Sequence, residues 1–241
     1  MSPRLGLSLL VVTALGLILW FLTRPDPQGN ALRARRVAAR GLADGLTQKF
    51  AGQKVLVLSN PFVQTPGIAS DIRAAEEAGL QGLREGCANK LTLSAVEFPA
   101  LRPEAREDPR ALVAQTETTT PLSYLVATNG FDPAFQKHTD VTLLASLIGL
   151  PADLEQCAIW KTAGPPRFAL LWPDLGVVGD TAAVQQALKS GKLAAFVLRK
   201  PGGLPDSVPL GKDWRAEFAQ RFLLVTSENA ETILRDYPGL F

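Results

Sequence analysis

The chain is poor in the residue types that build most metal, redox and acid–base sites. Its 241 residues include two cysteines, one histidine and one methionine. It has no CxxC pair and no cluster of cysteine with histidine, so we expect no zinc-type metal site. A dyad of serine or cysteine with histidine would have to use His138. That residue precedes a predicted strand, at the amino end of a sheet, and we predict a structural or surface role for it.

The signature motifs of α/β enzymes are also missing. The first predicted strand runs into Ser59-Asn60-Pro61-Phe62 where a dinucleotide-binding chain would carry GxGxxG. Neither a GxxxxGKS/T phosphate loop nor a GxSxG nucleophile elbow occurs. We therefore expect no cofactor, and the sequence favours a non-catalytic protein.

Positive charge is scarce over most of the chain. The formal net charge is +2, but residues 1–40 contain six arginines and one aspartate, which leaves the remainder at −3. Nucleic-acid binding depends on a broad basic face, so nucleic acid is not an expected partner.

One long uncharged stretch is present, over residues 5–23 between Arg4 and Arg24. As a helix it would measure about 28 Å, close to the hydrocarbon thickness of a bilayer. No small-x-small cleavage site follows, which favours an uncleaved anchor over a secretory signal. We predict a transmembrane helix over residues 1–24, with the lipid bilayer as partner of residues 5–23.

Two features of the sequence give opposite indications of the orientation of this anchor. Five arginines follow it within the distance that counts for the positive-inside rule, and they favour a cytoplasmic domain. A short N-terminal tail on a signal-like segment favours export of the domain after it. We favour the second interpretation, with the domain outside the cytoplasm, in the periplasm.

After a linker over 25–30, residues 31–241 predict one Rossmann-like domain. Short apolar runs at 54–60, 91–98, 140–148, 167–172, 192–199 and 222–226 alternate with amphipathic segments. Runs that are apolar on both faces are typical of buried parallel strands. The predicted fold class is α/β, a three-layer Rossmann-like arrangement with a mostly parallel sheet of about six strands.

The first amphipathic segment, 31–50, places Arg33, Arg36 and Arg40 on one helix face, opposite an apolar stripe. These arginines could contact anionic lipid headgroups or form an ordinary solvated face, and we favour the solvated face.

In such sheets, ligands bind beyond the carboxyl ends of the strands. We take the residues placed there as candidate ligand-binding residues, although several also suit turn and cap roles. They are Asn60, Glu97, Gly149, Pro151, Asp174, Lys200, Ser227 and Glu228. Among them, Glu97, Asp174 and Glu228 would serve an enzyme if they converged.

The stretch from Val55 to about Pro201 resembles one lobe of the type I periplasmic sugar-binding proteins. The resemblance lies in KVLVLSNPF after an amphipathic helix, in TDVTLLASLIGLP, and in GKLAAFVLRKP. It implies a Rossmann-like fold and export. That family clamps a sugar between two lobes of similar size, whereas this chain has room for about one and a half, and the clamping residues have no match.

Three functions are open as hypotheses. The first is a membrane-anchored, non-catalytic α/β domain that binds a small solute or a partner protein outside the cytoplasm. The second is a membrane-tethered hydrolase-type enzyme that uses carboxylates at the strand ends, and the third is a scaffold without a ligand site. If the domain is exported, Cys87 and Cys157 could form a disulfide, but buried free thiols are the favoured interpretation.

Overall fold

The computed structural model describes residues 26–113 and 121–241, in which one six-stranded sheet lies between two layers of helices. The strands are β1 (Lys54–Leu58), β2 (Thr92–Glu97), β3 (Leu143–Ser146), β4 (Arg167–Leu171), β5 (Leu193–Arg199) and β6 (Phe222–Val225). Their order is β2-β1-β3-β4-β5-β6; β1 to β5 are parallel and β6 runs antiparallel to β5. The predicted α/β class and mostly parallel sheet are confirmed.

Ten α-helices are assigned within the described residues. They are α1 (Pro27–Lys49), α2 (Ser70–Cys87), α3 (Pro103–Glu107), α4 (Pro109–Val113), α5 (Leu122–Leu125), α6 (Phe131–Gln136), α7 (Ala158–Lys161), α8 (Thr181–Lys189), α9 (Trp214–Arg221) and α10 (Ala230–Asp236). None of the helices in these two ranges is long and apolar enough to cross a bilayer. The span predicted over residues 5–23 lies outside the described residues.

Helix α1 begins earlier than the sequence pattern predicts. The Asp26 side chain accepts a hydrogen bond from the Gly29 amide at 2.8 Å, and Pro27 occupies the first turn. Residues 27–30, predicted as part of a linker, are therefore helical. The cap satisfies an amide that would otherwise lack a partner, which is why the helix can start there.

Each face of the sheet packs its own apolar cluster. Val55, Val57 and Ala145 point toward α1 and α2, whereas Leu56 and Leu144 point toward α6 and α8. The alternation follows from the period of two along a strand.

The two cysteines belong to different clusters, Cys87 beneath α1 and Cys157 on the opposite face of the sheet. Both are buried free thiols, as favoured, and they form no disulfide with each other. Burial raises the pKa of Cys87 to about 11 and, together with Asp132, that of Cys157 to about 12.

Helix α2 packs closely against α1 through glycines. A Cβ on Gly82 would lie 2.2 Å from the Arg36 carbonyl oxygen, and one on Gly86 would lie 2.3 Å from that of Arg40. No larger residue fits there without moving a backbone. This approach brings the acidic side chains of α2 within reach of the α1 arginines.

Helix α9 and the direction of β6 were not predicted. Asp213 caps α9 by accepting from the amides of Arg215 and Ala216, at 2.9 and 3.4 Å. The connection from β5 leaves and re-enters the sheet at the same edge, so β6 returns antiparallel, with Phe222 opposite Arg199. As a consequence, the end of β6 lies at the amino edge of the other strands.

Candidate functional site

An open cleft of about 540 Å³ lies at the carboxyl ends of β3, β4 and β5, and we call it the Trp172 cleft. Its walls are largely apolar, and the polar groups come from two arginines, Arg35 on α1 and Arg199 at the end of β5. The remaining lining residues are Pro121, Leu122, Leu147, Ile148, Leu171, Trp172, Pro173 and Leu198. A concave, mainly apolar cleft with a few converging polar groups is typical of small-molecule sites.

Trp172 directly follows β4 and adopts a left-handed backbone conformation, with φ of +49°. Such a conformation costs a bulky residue about 1–3 kcal/mol and is found most often at functional positions. The turn carries the indole beneath α1, where the Arg35 and Arg199 guanidinium carbons lie 5.6 and 4.7 Å from the ring centroid. The indole Nε1 is buried and has no hydrogen-bond partner among the described residues.

Arg35 is fixed by a network that crosses the point where strand order reverses, between β1 and β3. Its Nη2 donates to Glu76 Oε2 at 3.1 Å and to the Leu147 carbonyl at 3.2 Å. The other Glu76 oxygen accepts from the Ser59 hydroxyl at 2.7 Å and the Asn60 amide at 3.1 Å. The Glu76 side chain is only 5% exposed, and the Arg35 side chain 16%. The two charges compensate each other in the interior.

The charge of Arg199 is compensated by a carboxylate in the loop that follows β5. Both of its terminal nitrogens donate to the Asp206 carboxylate at 2.7 Å, which raises the pKa of the guanidinium above its ordinary value. The loop itself is held by Arg221, which is fully buried, pairs with Glu217 at 3.0 Å, and donates to the Val208 carbonyl at 3.1 Å. Arg221 therefore positions Asp206 at the rim of the cleft.

These contacts define the chemistry available in the Trp172 cleft. Each arginine meets a carboxylate, so the cleft carries little excess charge, and the guanidinium groups are its polar donors. No group of three or more potential metal ligands occurs within residues 26–113 and 121–241. The arrangement suits a neutral molecule that offers both an apolar face and hydrogen-bond acceptors.

Four of the predicted site residues lie beside the cleft, not in its lining. Gly149 and Pro151 follow the lining residue Ile148, and the Gly149 carbonyl accepts from Ser146 Oγ at 2.6 Å. Asp174 accepts from the Gly176 amide at 3.0 Å and caps a short 3₁₀ helix. Lys200 Nζ donates to the Ala219 carbonyl at 3.1 Å. Their role in ligand binding remains a prediction.

Asn60 and Glu97 lie at the correct edge of the sheet but have other partners. The Asn60 side chain accepts from the Phe62 amide at 3.0 Å and caps a 3₁₀ turn. Glu97 accepts from Lys137 Nζ at 3.0 Å, and its Oε1 lies 2.9 Å from His138 Nε2. Its hydrogen bond to His138 holds the pKa of Glu97 below its ordinary value. His138 thus pairs with a strand-end carboxylate.

The placement of Ser227 and Glu228 at the carboxyl edge is wrong. Because β6 is antiparallel, both lie at the amino edge, where Lys49 Nζ bonds Ser227 Oγ at 3.1 Å and pairs with Glu228. The convergence of Glu97, Asp174 and Glu228 that the enzyme hypothesis would require does not occur, because Glu228 is at the opposite edge. In addition, β1 and β3 separate the strands that precede Glu97 and Asp174 by about 14 Å.

Sequence reasoning missed Arg35, Trp172 and Arg199 as lining residues. None of the three is among the candidate ligand-binding residues, and Arg35 is one of several clustered arginines. The signal that was available is position: Trp172 and Arg199 each end a predicted apolar run, which places both at the carboxyl edge.

No protein-family model matches the chain, and no curated protein matches it in sequence. Among solved structures it is similar to a substrate-binding protein of a sugar ABC transport system from Bordetella parapertussis 12822. That likeness has 12% identity and a TM-score of 0.47, and it covers 86% of this chain and 61% of the other.

Two further similar structures are a periplasmic ribose ABC transporter protein from Conexibacter woesei and a solute-binding protein from Burkholderia graminis solved with D-arabinose. The first shows 13% identity and a TM-score of 0.44, covering 83% of this chain and 60% of the other. The second shows 11% identity and a TM-score of 0.44, covering 81% and 60%. The chain thus spans about three-fifths of the length of each. The resemblance predicted from the sequence agrees with these similarities.

Proposed function

We propose that this domain is a non-catalytic binding module that holds a small, neutral, hydroxyl-rich solute of the sugar or polyol class in the Trp172 cleft. One observation carries the proposal: an indole in a strained backbone conformation lies beside two arginines whose charges are already compensated. An anion would have to compete with Glu76 and Asp206 for those guanidinium groups, whereas a neutral solute would not.

The walls of the cleft support the same class of ligand. A sugar ring has an apolar face that can stack on an indole, and hydroxyl oxygens that can accept hydrogen bonds. The Trp172 indole offers ring surface, and Leu122 and Leu198 supply apolar contact on the rim. The volume of about 540 Å³ lies within the usual range for small-molecule sites, about 300–1,000 Å³.

The test is a fluorescence titration of the full chain in detergent with neutral pentoses, hexoses and cyclitols. A saturable change in tryptophan emission is expected, because Trp172 would exchange solvent for ligand. The Trp172→Phe variant should lose both the signal and the binding seen by calorimetry. Trp160→Phe is the matched control, because Trp160 packs against Phe168 on the other face of the sheet.

Absence of binding by the whole panel would reject solute binding and favour the scaffold hypothesis. Binding that is unchanged in Trp172→Phe would place the ligand elsewhere. Turnover of any bound compound would favour the enzyme hypothesis in place of the binding module.

We also infer that the domain is tethered to a membrane through residues 5–23 and faces the extracytoplasmic side. The uncharged run supports the tether, and the resemblance of the domain to one lobe of the periplasmic sugar-binding proteins supports the extracytoplasmic side. A reporter fused after Phe241 that is active only outside the cytoplasm should be active. A stable but inactive fusion would reverse the orientation, and full solubility of the intact chain without detergent would reject the tether.

A further inference from the structure

A second cleft, of about 530 Å³, lies where α1 and α2 meet the loop before α9. It is lined by Arg33, Arg36, Arg40, Lys212, Glu85 and Trp214, with Val37, Leu210 and Gly211 completing the wall. We call it the Trp214 cleft. None of these residues lines the Trp172 cleft, so a ligand bound here is independent of the proposed solute.

The Trp214 cleft has a large excess of positive charge. Arg33, Arg36 and Arg40 recur every three to four residues on α1 and so share one face of the helix. Lys212 adds a fourth cation from the loop, and Glu85 is the only acidic residue among the described residues of the lining. Four cations and one carboxylate leave about three positive charges to be balanced.

Glu85 compensates only part of this positive charge. It pairs with Arg36, with Nε at 3.1 Å, and its Oε2 lies 3.6 Å from Arg40 Nη1. Neither Arg33 nor Lys212 has a carboxylate within ion-pair distance among residues 26–113 and 121–241. The cleft therefore holds donors that the described part of the chain does not occupy.

Arg40 has an unsatisfied donor and lies against the Trp214 ring. Its Nε is buried and lacks a hydrogen-bond partner among the described residues. A buried guanidinium donor without an acceptor is costly, and such atoms are rare in native proteins. In addition, the Trp214 ring has two guanidinium carbons near its centroid, Arg40 at 4.3 Å and Arg215 at 4.5 Å. Arg215 is paired with Asp44 at 3.4 Å, so an anion in the cleft would chiefly compensate the charge of Arg40 and of the lining cations beside it.

We propose that the Trp214 cleft binds a phosphate group. Arginine side chains match the geometry of phosphate oxygens, and several cations around one small concave site suit a ligand with one or two negative charges. Two sources present this chemistry, a soluble phosphate compound and the headgroup of an anionic phospholipid. Arg33 lies ten residues after the end of the predicted span, so a headgroup is within reach if the anchor forms.

The experiment uses the full chain with Trp214 emission as the signal. In detergent, the chain is titrated with inorganic phosphate and with glycerol phosphate at low and high salt. In parallel, it is placed in nanodiscs of phosphatidylcholine alone or with phosphatidylglycerol. Saturable, salt-sensitive binding in detergent identifies a soluble phosphate ligand, and a change confined to phosphatidylglycerol discs identifies a lipid headgroup. No response in either arm would overturn the proposal.

Variants tie the response to the cleft. Arg33→Gln and Lys212→Gln, each at an exposed position, should weaken binding about tenfold, the loss expected for one charge-assisted hydrogen bond. Glu85→Gln should strengthen it, because it removes the competing carboxylate. Arg84→Gln is the matched control: it makes the same change in net charge from an exposed position outside the lining of the cleft. Equal weakening by Arg84→Gln and Arg33→Gln would reduce the effect to overall charge and overturn the proposal.

Discussion

The Trp172 and Trp214 clefts are built from the same parts and differ in how their charge is balanced. Each places a tryptophan near at least one arginine of α1 and has a volume of roughly 530–540 Å³. In the Trp172 cleft, Glu76 and Asp206 each engage one arginine, whereas in the Trp214 cleft the single Glu85 faces four cations. The placement of carboxylates, more than the number of arginines, therefore decides whether such a cleft suits a neutral ligand or an anion.

The arginine–carboxylate pairs of the two clefts also differ in burial, and therefore in how much their loss would destabilise the fold. The Arg35–Glu76 pair is almost enclosed, so each charge depends on the other for solvation. The Arg36 side chain is 42% exposed and Glu85 26%, so water can replace part of their contact.

The largest expected effect therefore comes from Glu76→Gln. It leaves Arg35 buried without a counter-charge and should lower the free energy of unfolding by about 3–5 kcal/mol. Glu85→Gln, the corresponding change in the other cleft, should cost at most about 1 kcal/mol. Urea unfolding of the two variants measures both, and equal losses would contradict the contrast between an enclosed and an open pair.

The next prediction tests the contact between α1 and α2, which brings Glu76 and Glu85 close to the arginines of α1. Gly86→Ala should destabilise the domain by about 1–3 kcal/mol, because its Cβ would lie 2.3 Å from the Arg40 carbonyl oxygen. In Gly45→Ala the new Cβ meets the end of the Leu224 side chain, which can move, so we expect little loss. Thermal unfolding compares the two. A larger loss for Gly45→Ala would show that the α1–α2 backbone approach is not limiting.

A smaller effect on stability is expected for Glu97, which lines neither cleft. Its folded-state pKa is lowered by His138, so its pairing stabilises the fold above the ordinary value near 4.5 and is lost as the pH falls through the lowered pKa. Glu97→Gln should cost under about 1 kcal/mol at pH 6 and flatten the pH dependence of stability below pH 4.5. Solute and phosphate titrations of this variant should be unchanged. Altered solute binding would return Glu97 to the site.

Asp206→Asn should have the smallest effect on stability. It should also give the Trp172 cleft an uncompensated positive charge, as in the Trp214 cleft. Arg199 is 53% exposed, so losing its partner should change stability by no more than about 0.5 kcal/mol. The freed guanidinium should give the Trp172 cleft salt-sensitive binding of inorganic phosphate. The measurement is Trp172 emission in a Trp214→Phe background, and persistent indifference to phosphate would show that Asp206 does not control ligand charge.

Much of the fold could be predicted because it is recorded in local patterns. The buried run of β1 and the capped helix α8, with Asp180 accepting from the Ala183 amide, depend on neighbouring residues alone. The site was less predictable. The edge of the sheet was identified, but the residues chosen at that edge were mostly caps and turns, one or two positions from the lining side chains.

Three features follow from the amino-acid sequence: the alternation of strands and helices, the mostly parallel sheet, and the concentration of arginines before residue 41. The direction of β6, and the pairing that neutralises some arginines and not others, depend on the folded arrangement. Arg35 and Glu76 are 41 residues apart, and Asp206 reaches Arg199 from a loop that the buried Arg221 holds. Periodicity reports which side of a helix is apolar, but charge pairing depends on contacts made after the helices pack. Because of that packing, one cleft lined by α1 is neutral and the other is cationic.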